Sequence, residues 1–396
     1  TEYGVYVSLN QGDDWHKFSY GMPTISVRDL AIQKREDDLV VATFGRSFYI
    51  LDDYSPLRNI TNGDLSKGDQ IFPIKKALQY VQKRGGTSSQ GASFYTAKNP
   101  TYGAEFTYYV SEEVKTIKDE RTAAEKKLKK DKRDIPFPGW ESLDAENFDE
   151  KSQSTLQVTD SSGKVLSNIN GPYSKGIHRV HWDLQERLAS TLDINSTSYN
   201  GTGLRYDVEP GTYYVQLFKK HNGILRACTQ KEAFEVERLR QNVLSNPEVE
   251  AHLTYKTKLN SLYVKAETMT KNLAKTKKKL NALSKVIGYA QANQDAFYKT
   301  LYALQQQHHN LARKINGSDA KSEVGEKDTP TLSFRISVAS RGFYSNTYGP
   351  TTMHIESYDM AVLLLNELVP QVNALSSSTD KLISDSKDLG LPAIID

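Results

Sequence analysis

Between Leu259 and Ile315 apolar side chains recur at alternating spacings of three and four, and this rhythm constrains the architecture more than any other run in the chain. Leu259, Ala266, Leu273, Leu280 and Ile287 lie seven apart; Leu262, Met269, Leu283 and Ala290 fall between them, with Thr276 in the remaining slot. Phe297, Leu301, Leu304, His308, Leu311 and Ile315 continue the alternation. A seven-residue apolar repeat turns one stripe of a helix towards a partner helix. Asn246-Pro247-Glu248 supplies an N-cap, a proline at the first helical position and an acid in the first turn. Gly288 and the polar stretch after it suit a turn, so two antiparallel helices are expected. One uninterrupted helix competes, because the register survives the break. A third helix is expected from about Thr352, with Ile355, Tyr358, Val362, Leu365, Val369 and Val372 on one face. Pro370 should kink or split it, since proline has no N–H and clashes with the preceding turn. The segment between Gly317 and Pro350 reads as a long connection.

Charge on the first of these helices is uneven. Lys256 to Lys285 holds nine lysines against one acid, Glu267, in a chain whose net charge is only +3. None of the lysines occupies a seam position. Lys271, Lys275, Lys277, Lys278 and Lys279 form a candidate face for an anionic partner. No aromatic platform, recognition helix or phosphate loop accompanies them, so nucleic acid is not an expected partner. His308 reads as a polar seam residue and His309 as a solvent-facing one.

The chain has 396 residues, enough for two to four domains at ~150 residues each. Its single cysteine, Cys228, rules out an intrachain disulfide. The longest notable apolar run, Ala361 to Leu365, falls far short of the ~20 residues of a membrane helix. Thr1 to Val7 already reads as part of a strand, so the chain is expected to be a piece of a longer precursor.

The first 58 residues alternate in the manner of short strands: Gly4 to Ser8, Asp29 to Ile32, Leu39 to Phe44 and Ser47 to Leu51. Between the first two strands lies Ser8-Leu9-Asn10-Gln11-Gly12-Asp13-Asp14-Trp15. It resembles the Asp-box, S/T-x-D-x-G-x-x-W, with Asn10 in place of the usual Asp. In such a box Ser8 and Asn10 bind turn amides, Gly12 permits positive φ and Trp15 packs back over the hairpin. Ala42-Thr43-Phe44-Gly45-Arg46-Ser47-Phe48-Tyr49-Ile50-Leu51-Asp52-Asp53-Tyr54-Ser55-Pro56-Leu57-Arg58 is similar to the signature G-T-H-G-R-G-I-W-I-L-D-D-x-S-P-L-R. That signature ends the β-propeller of bacterial sortilin-like, Asp-box-repeat (BNR) proteins; Phe44 replaces the family His and Ser47 a Gly. The resemblance implies one terminal four-stranded blade, with the remaining blades upstream or on a partner fragment. Gly390-Leu391-Pro392-Ala393-Ile394-Ile395 is similar to the C-terminus of the same family.

From Ala104 onward a second set of strands appears, including Gly176-Ile177-His178-Arg179-Val180-His181-Trp182-Asp183 and Pro210-Gly211-Thr212-Tyr213-Tyr214-Val215. These resemble the immunoglobulin-like sandwich that follows the propeller in that family. His178 and His181 are spaced i, i+3, which on a strand points them to opposite faces and away from a shared metal. Trp182 is expected in the core. An insertion over 111–152 carries seven basic and two acidic residues between Arg121 and Arg133, then Ile135-Pro136-Phe137-Pro138-Gly139-Trp140. The first part reads as a solvated helix, and Trp140 as a cap on the sandwich.

Catalytic motifs are absent: no H-E-x-x-H, no G-x-S-x-G, no P-loop. The adjacent acids Asp13-Asp14 and Asp52-Asp53 point opposite ways on strands and do not make the paired carboxyls of a glycosidase. No cofactor and no metal site is expected. The sequons at Asn59, Asn195, Asn200 and Asn316 read as chance in an Asn/Ser/Thr-rich surface.

The expected fold class is therefore multidomain, mainly β plus α. It comprises the end of a β-propeller (1–58), a linker (59–99), an immunoglobulin-like β-sandwich (100–237) and an antiparallel helical bundle (238–396). The expected role is a secreted, cell-surface or periplasmic interaction or scaffold protein without catalysis in this chain. Its partner would be another protein, the N-terminal remainder of the precursor, or a glycan. An exported glycan-active hydrolase with its active site in other blades is the alternative.

Overall fold

The computed structural model describes residues 1–18, 21–60, 65, 68–80, 99–188, 191–192, 204–240, 249–289, 295–344 and 349–394. The chain is a mixed β and α protein with a curled half-barrel sheet and C-terminal helices. It divides into two units: Thr1–Glu186 with Val208–Arg240, and Arg187–Asp207 with Gln241–Asp396.

The first unit opens with an antiparallel hairpin, β1 (Val5–Val7) and β2 (His16–Phe18). An antiparallel meander follows: β3 (Val27–Gln33), β4 (Asp38–Thr43) and β5 (Phe48–Leu51). The short helix α1 (Ser55–Arg58) ends this stretch. A single four-stranded blade was the expectation; the segment instead forms a two-stranded and a three-stranded sheet. The hairpin strands are only three residues long, and the backbone bond from Val27 N–H to the Thr1 carbonyl (2.8 Å) is not extended into a ladder.

Next come β6 (Gln70–Ile71), β7 (Ala77–Gln79) and β8 (Ala104–Val110), then α2 (Ile117–Lys130) and α3 (Trp140–Phe148). The strands β9 (Gln153–Thr159), β10 (Val165–Gly171) and β11 (Gly176–Trp182) follow. The chain leaves the unit in β12 (Gln185–Arg187), passes through β13 (Arg205–Asp207) in the second unit, and returns as β14 (Gly211–His221), β15 (Ile224–Ala227) and β16 (Glu232–Arg238). One sheet runs β10-β9-β14-β16-β7 with β15 on β14; the other runs β11-β8-β6. Phe106, Tyr108 and Val110 from the second sheet share a core with Leu156, Val158, Val215, Leu217 and Phe234 from the first. Trp182 lies in that core, 5.9 Å from Phe234 by ring centroids. The expected linker is thus corrected: β6 and β7 are sheet members. Residues 81–98, with the Gly/Ser/Gln-rich loop, lie outside the described residues.

A close backbone approach locks β8 to β11. Gly103 has φ +120°, and a Cβ there would stand 1.8 Å from the Trp182 carbonyl oxygen. Nearby, Lys219 and Asp69 pair at 2.7 Å with both side chains nearly buried. Burial pushes the Asp69 carboxyl up, but the Lys219 ammonium and the Ser111 amide and hydroxyl outweigh it and hold the carboxyl below its usual range.

The second unit is built on α4 (Val249–Val286), α5 (Asp295–Asn316), the short α6 (Asp319–Glu323), α7 (Leu332–Tyr344) and α8 (Thr352–Ser386). The Asn246-Pro247-Glu248 start and the residues 290–294 lie outside the described residues. Gln305 donates to Ser284 Oγ and His308 Nε2 to the Leu273 carbonyl, so α4 and α5 run antiparallel. Tyr255 reaches the His354 carbonyl while Lys279 reaches Asp380, so α4 and α8 run parallel. Leu259, Leu262, Ala266, Met269, Leu273, Thr276, Leu280 and Leu283 are all buried. Thr276 fits an apolar seam because its hydroxyl donates to the Asn272 carbonyl one turn back.

Three expectations about the helices are corrected. The connection over 317–350 contains α7, whose Leu332, Ile336 and Ala339 face the core. The seam of α8 is His354, Ser357, Ala361, Leu365, Leu368, Val372, Leu375, Thr379, Leu382 and Ser386, and Ile355 points outward. Pro370 neither splits nor ends α8, because it lies on the exposed face where water can serve the freed carbonyl. The domain boundary also shifts, since the 187–207 segment joins the helical unit and buries Leu204 and Tyr206 in its core.

Candidate functional site

The hairpin turn between β1 and β2 is organised by its own side chains. Ser8 Oγ accepts the Gly12 amide at 2.7 Å and donates to Asn10 Oδ1 at 3.0 Å. Asn10 Oδ1 accepts the Asp14 amide at 2.9 Å, and Asn10 Nδ2 donates to the Asp14 carboxylate at 2.9 Å. Gly12 sits at φ +106°, open to a glycine and strained for other residues. Asn10 thus holds the turn through both its oxygen and its amide, the second a contact that a carboxylate could not make. Trp15 Nε1 donates to the Gly12 carbonyl at 3.0 Å, yet the residue is 63% exposed. With Tyr3, Val5, Tyr6, Val27 and Leu30 it lines an open apolar cleft of about 540 Å³.

The neighbouring meander is apolar on both faces. Cross-strand partners share a face, so Leu30, Val41 and Tyr49 lie on one side with Ile32, Leu39 and Leu51. Ala31, Val40 and Ile50 lie on the other with Ala42 and Phe48. Leu30, Ile32, Phe48 and Ile50 are each more than half exposed. Strands that are apolar on both sides belong to sheets covered on both sides; here each face carries exposed large side chains. The end of the meander is fastened to β11, where Arg179 donates to the carbonyls of Asp52 (2.7 Å) and Asp53. Arg179 also pairs with Glu105 at 3.2 Å, as does His181 at 3.0 Å. His178 instead bonds the Ser174 carbonyl at 2.6 Å.

The lysine face of α4 is divided. Lys271 donates to the Thr191 carbonyl (2.9 Å) and hydroxyl (2.5 Å) and pairs with Glu267 at 3.3 Å. Lys279 pairs with Asp380 at 2.7 Å. Lys275, Lys277 and Lys278 stand exposed. Lys271 and Lys279 therefore brace the helical unit.

The chemistry at other polar groups is muted. Cys228 borders an open cleft of about 470 Å³ with Asp69, Gln70, Gln216 and Glu232. Burial, with the Asp69 carboxylate adding to it, pushes the Cys228 thiol up, opposite to the shift that makes a nucleophile. Burial, then Asp38 and Glu105, raise the Asp52 carboxyl. Among the described residues no cluster of three or more His, Cys, Asp or Glu is placed to hold a metal ion. Among the described residues no helix is long and apolar enough to cross a membrane.

Trp140, expected as a cap on the sandwich, is instead 74% exposed and packs on Phe137. The proline on either side of Phe137 was the available signal, since it holds the segment extended and away from a core. Scans of protein-family models, curated proteins and solved structures each return no match to this chain.

Proposed function

We propose that this chain is the C-terminal part of a sortilin-like, Asp-box-repeat β-propeller protein. It would act as an interaction or scaffold protein at the cell surface or in an exported compartment. In this reading residues 1–58 are propeller material, the two-sheet core is an immunoglobulin-like module and the helices are an assembly module. The observation that carries it is the meander β3-β4-β5, whose two apolar faces expose Leu30, Ile32, Phe48 and Ile50. A propeller blade has this pattern because each face packs on a neighbouring blade. The Ser8–Asn10–Gly12 bonding and the signature from Ala42 to Arg58 support the same family.

Radical footprinting of the native protein from its source, set beside this chain alone, tests the reading. Phe48, Ile50 and Trp15 should label readily in this chain and be protected in the native protein. Equal labelling in both would overturn it.

A further inference from the structure

The helical hairpin inserted between β8 and β9 ends in a tip whose residues 131–138 are all exposed. Its base is fixed firmly. Thr116 caps α2 through the Asp119 amide at 3.1 Å, and Asp119 returns a bond to the Thr116 amide. Arg121 grips Glu146 of α3 with two bonds, at 2.5 and 2.9 Å. Asp149 accepts the Ile117 amide at 2.5 Å and the Asn222 side chain at 2.8 Å, tying the hairpin to the turn after β14. The fourteen residues of α2 then carry the chain about 20 Å from that base.

At the far end two features coincide. Lys126, Lys127, Lys129, Lys130, Lys132 and Arg133 are all exposed, against the two acids Asp131 and Asp134. Immediately beyond, Ile135, Phe137 and Trp140 are exposed on a segment stiffened by Pro136 and Pro138. Phe137 and Trp140 pack edge to face, with centroids 5.0 Å apart and planes at 68°. That makes a blunt apolar wedge and leaves no flat platform for stacking a sugar or a base.

We infer that this tip docks on an anionic lipid surface, with the wedge Ile135–Phe137–Trp140 entering the headgroup layer and the basic residues lying against lipid phosphates. Charge complementarity and the wedge argue together. A soluble polyanion would satisfy the lysines and leave three large apolar side chains in water. A neutral bilayer would take the wedge and give the lysines nothing. Anionic lipid meets both needs, since basic clusters are drawn to its surface and Trp and Phe settle at its interface. Five of the six cations are lysines, whose compact charge suits diffuse attraction more than bidentate recognition of one phosphate. The inference is independent of the propeller reading, because no blade residue takes part.

Vesicle co-sedimentation of the full chain tests it, using phosphatidylcholine vesicles with and without phosphatidylglycerol. Binding should require phosphatidylglycerol and weaken as salt is raised. Phe137→Ser with Trp140→Ser, and separately Lys129→Glu with Lys130→Glu, should each weaken binding by about tenfold or more. All four side chains are exposed, and far-UV circular dichroism checks that the variants stay folded. Lys231→Glu with Lys327→Glu, two exposed lysines outside the hairpin and outside α4, should leave binding unchanged. Trp140 emission should shift to the blue on binding, and the shift should vanish in Trp140→Phe. Absence of sedimentation, sedimentation indifferent to Phe137 and Trp140, or retention on soluble heparin in place of vesicles would each overturn the inference.

Discussion

Leu259 on α4 and Ile32 on β3 are aliphatic side chains on strongly patterned elements, and their surroundings differ completely. Leu259 is fully buried within the helical seam, whereas Ile32 is 53% exposed. The helices cover one another's stripes, because α5, α7 and α8 all contribute to the core that holds Leu259. The meander has two apolar faces, and Ile32 and Ile50 stand on opposite ones. Apolar periodicity thus states that a face will be covered without naming what covers it. A heptad finds its partner within the same chain; a two-sided sheet asks for material on each side.

Truncation makes the contrast measurable. Leu259→Ala should cost about 2–5 kcal/mol, read as a lower urea midpoint of the helical circular dichroism signal. A cost under about 1 kcal/mol would mean that the seam is loosely packed. The pH dependence of the same unit comes next. Burial at the seam holds the His308 imidazole below its ordinary 6.5, against the pull of the Leu273 carbonyl. Between that lowered value and 6.5 the unfolded chain binds more protons than the folded one. Stability should therefore be full above this window, fall as pH drops through 6.5, and level off below the folded value. His308→Gln should flatten that part of the profile in paired urea titrations, and an unchanged slope would remove His308 as its source.

Smaller effects are expected in the first unit. Asn10→Ala deletes the acceptor of the Asp14 amide and should destabilise the β1–β2 turn by about 1 kcal/mol. Faster amide exchange at Asp14 would report it. Ile32→Ala should change the stability of this chain by no more than about 0.5 kcal/mol, since water already surrounds the side chain. A cost comparable to that of Leu259→Ala would show that the meander's faces are covered in solution, and the contrast between the two regions would fail.

The seam of α4 and α5 was legible because each carries one apolar stripe and Gly288 marks the break. In α8 the run Val362-Leu363-Leu364-Leu365 admits two stripes. The correct one passes through Ser357, Thr379 and Ser386; the Thr379 and Ser386 hydroxyls hide on the seam by bonding the carbonyls of Leu375 (2.8 Å) and Ile383 (2.6 Å). Helix α7 carries a weak sequence signal because Leu332, Ile336 and Ala339 are spread among Ser and Arg in a short segment. Over residues 1–58, strand alternation was readable, and so was the turn at Gly12. The exposure of both meander faces was not, because burial depends on neighbours that lie outside any local pattern. Likewise nothing near residue 204 announces that Leu204 and Tyr206 pack among helices beginning more than forty residues later.

That last arrangement sets the order in which the molecule can mature. The peptide crosses between the two units three times, near residues 186, 207 and 240. During synthesis the strand segment bearing Leu204 and Tyr206 leaves the ribosome well before α4 exists to receive it. Those side chains wait in water until the helices arrive, and the β-rich unit must close around a loop that is still unanchored. A gene cut at residue 240 would therefore yield a fragment with a permanently sticky excursion. A cleaner excision would replace 187–207 with a short polar bridge from Glu186 to Val208.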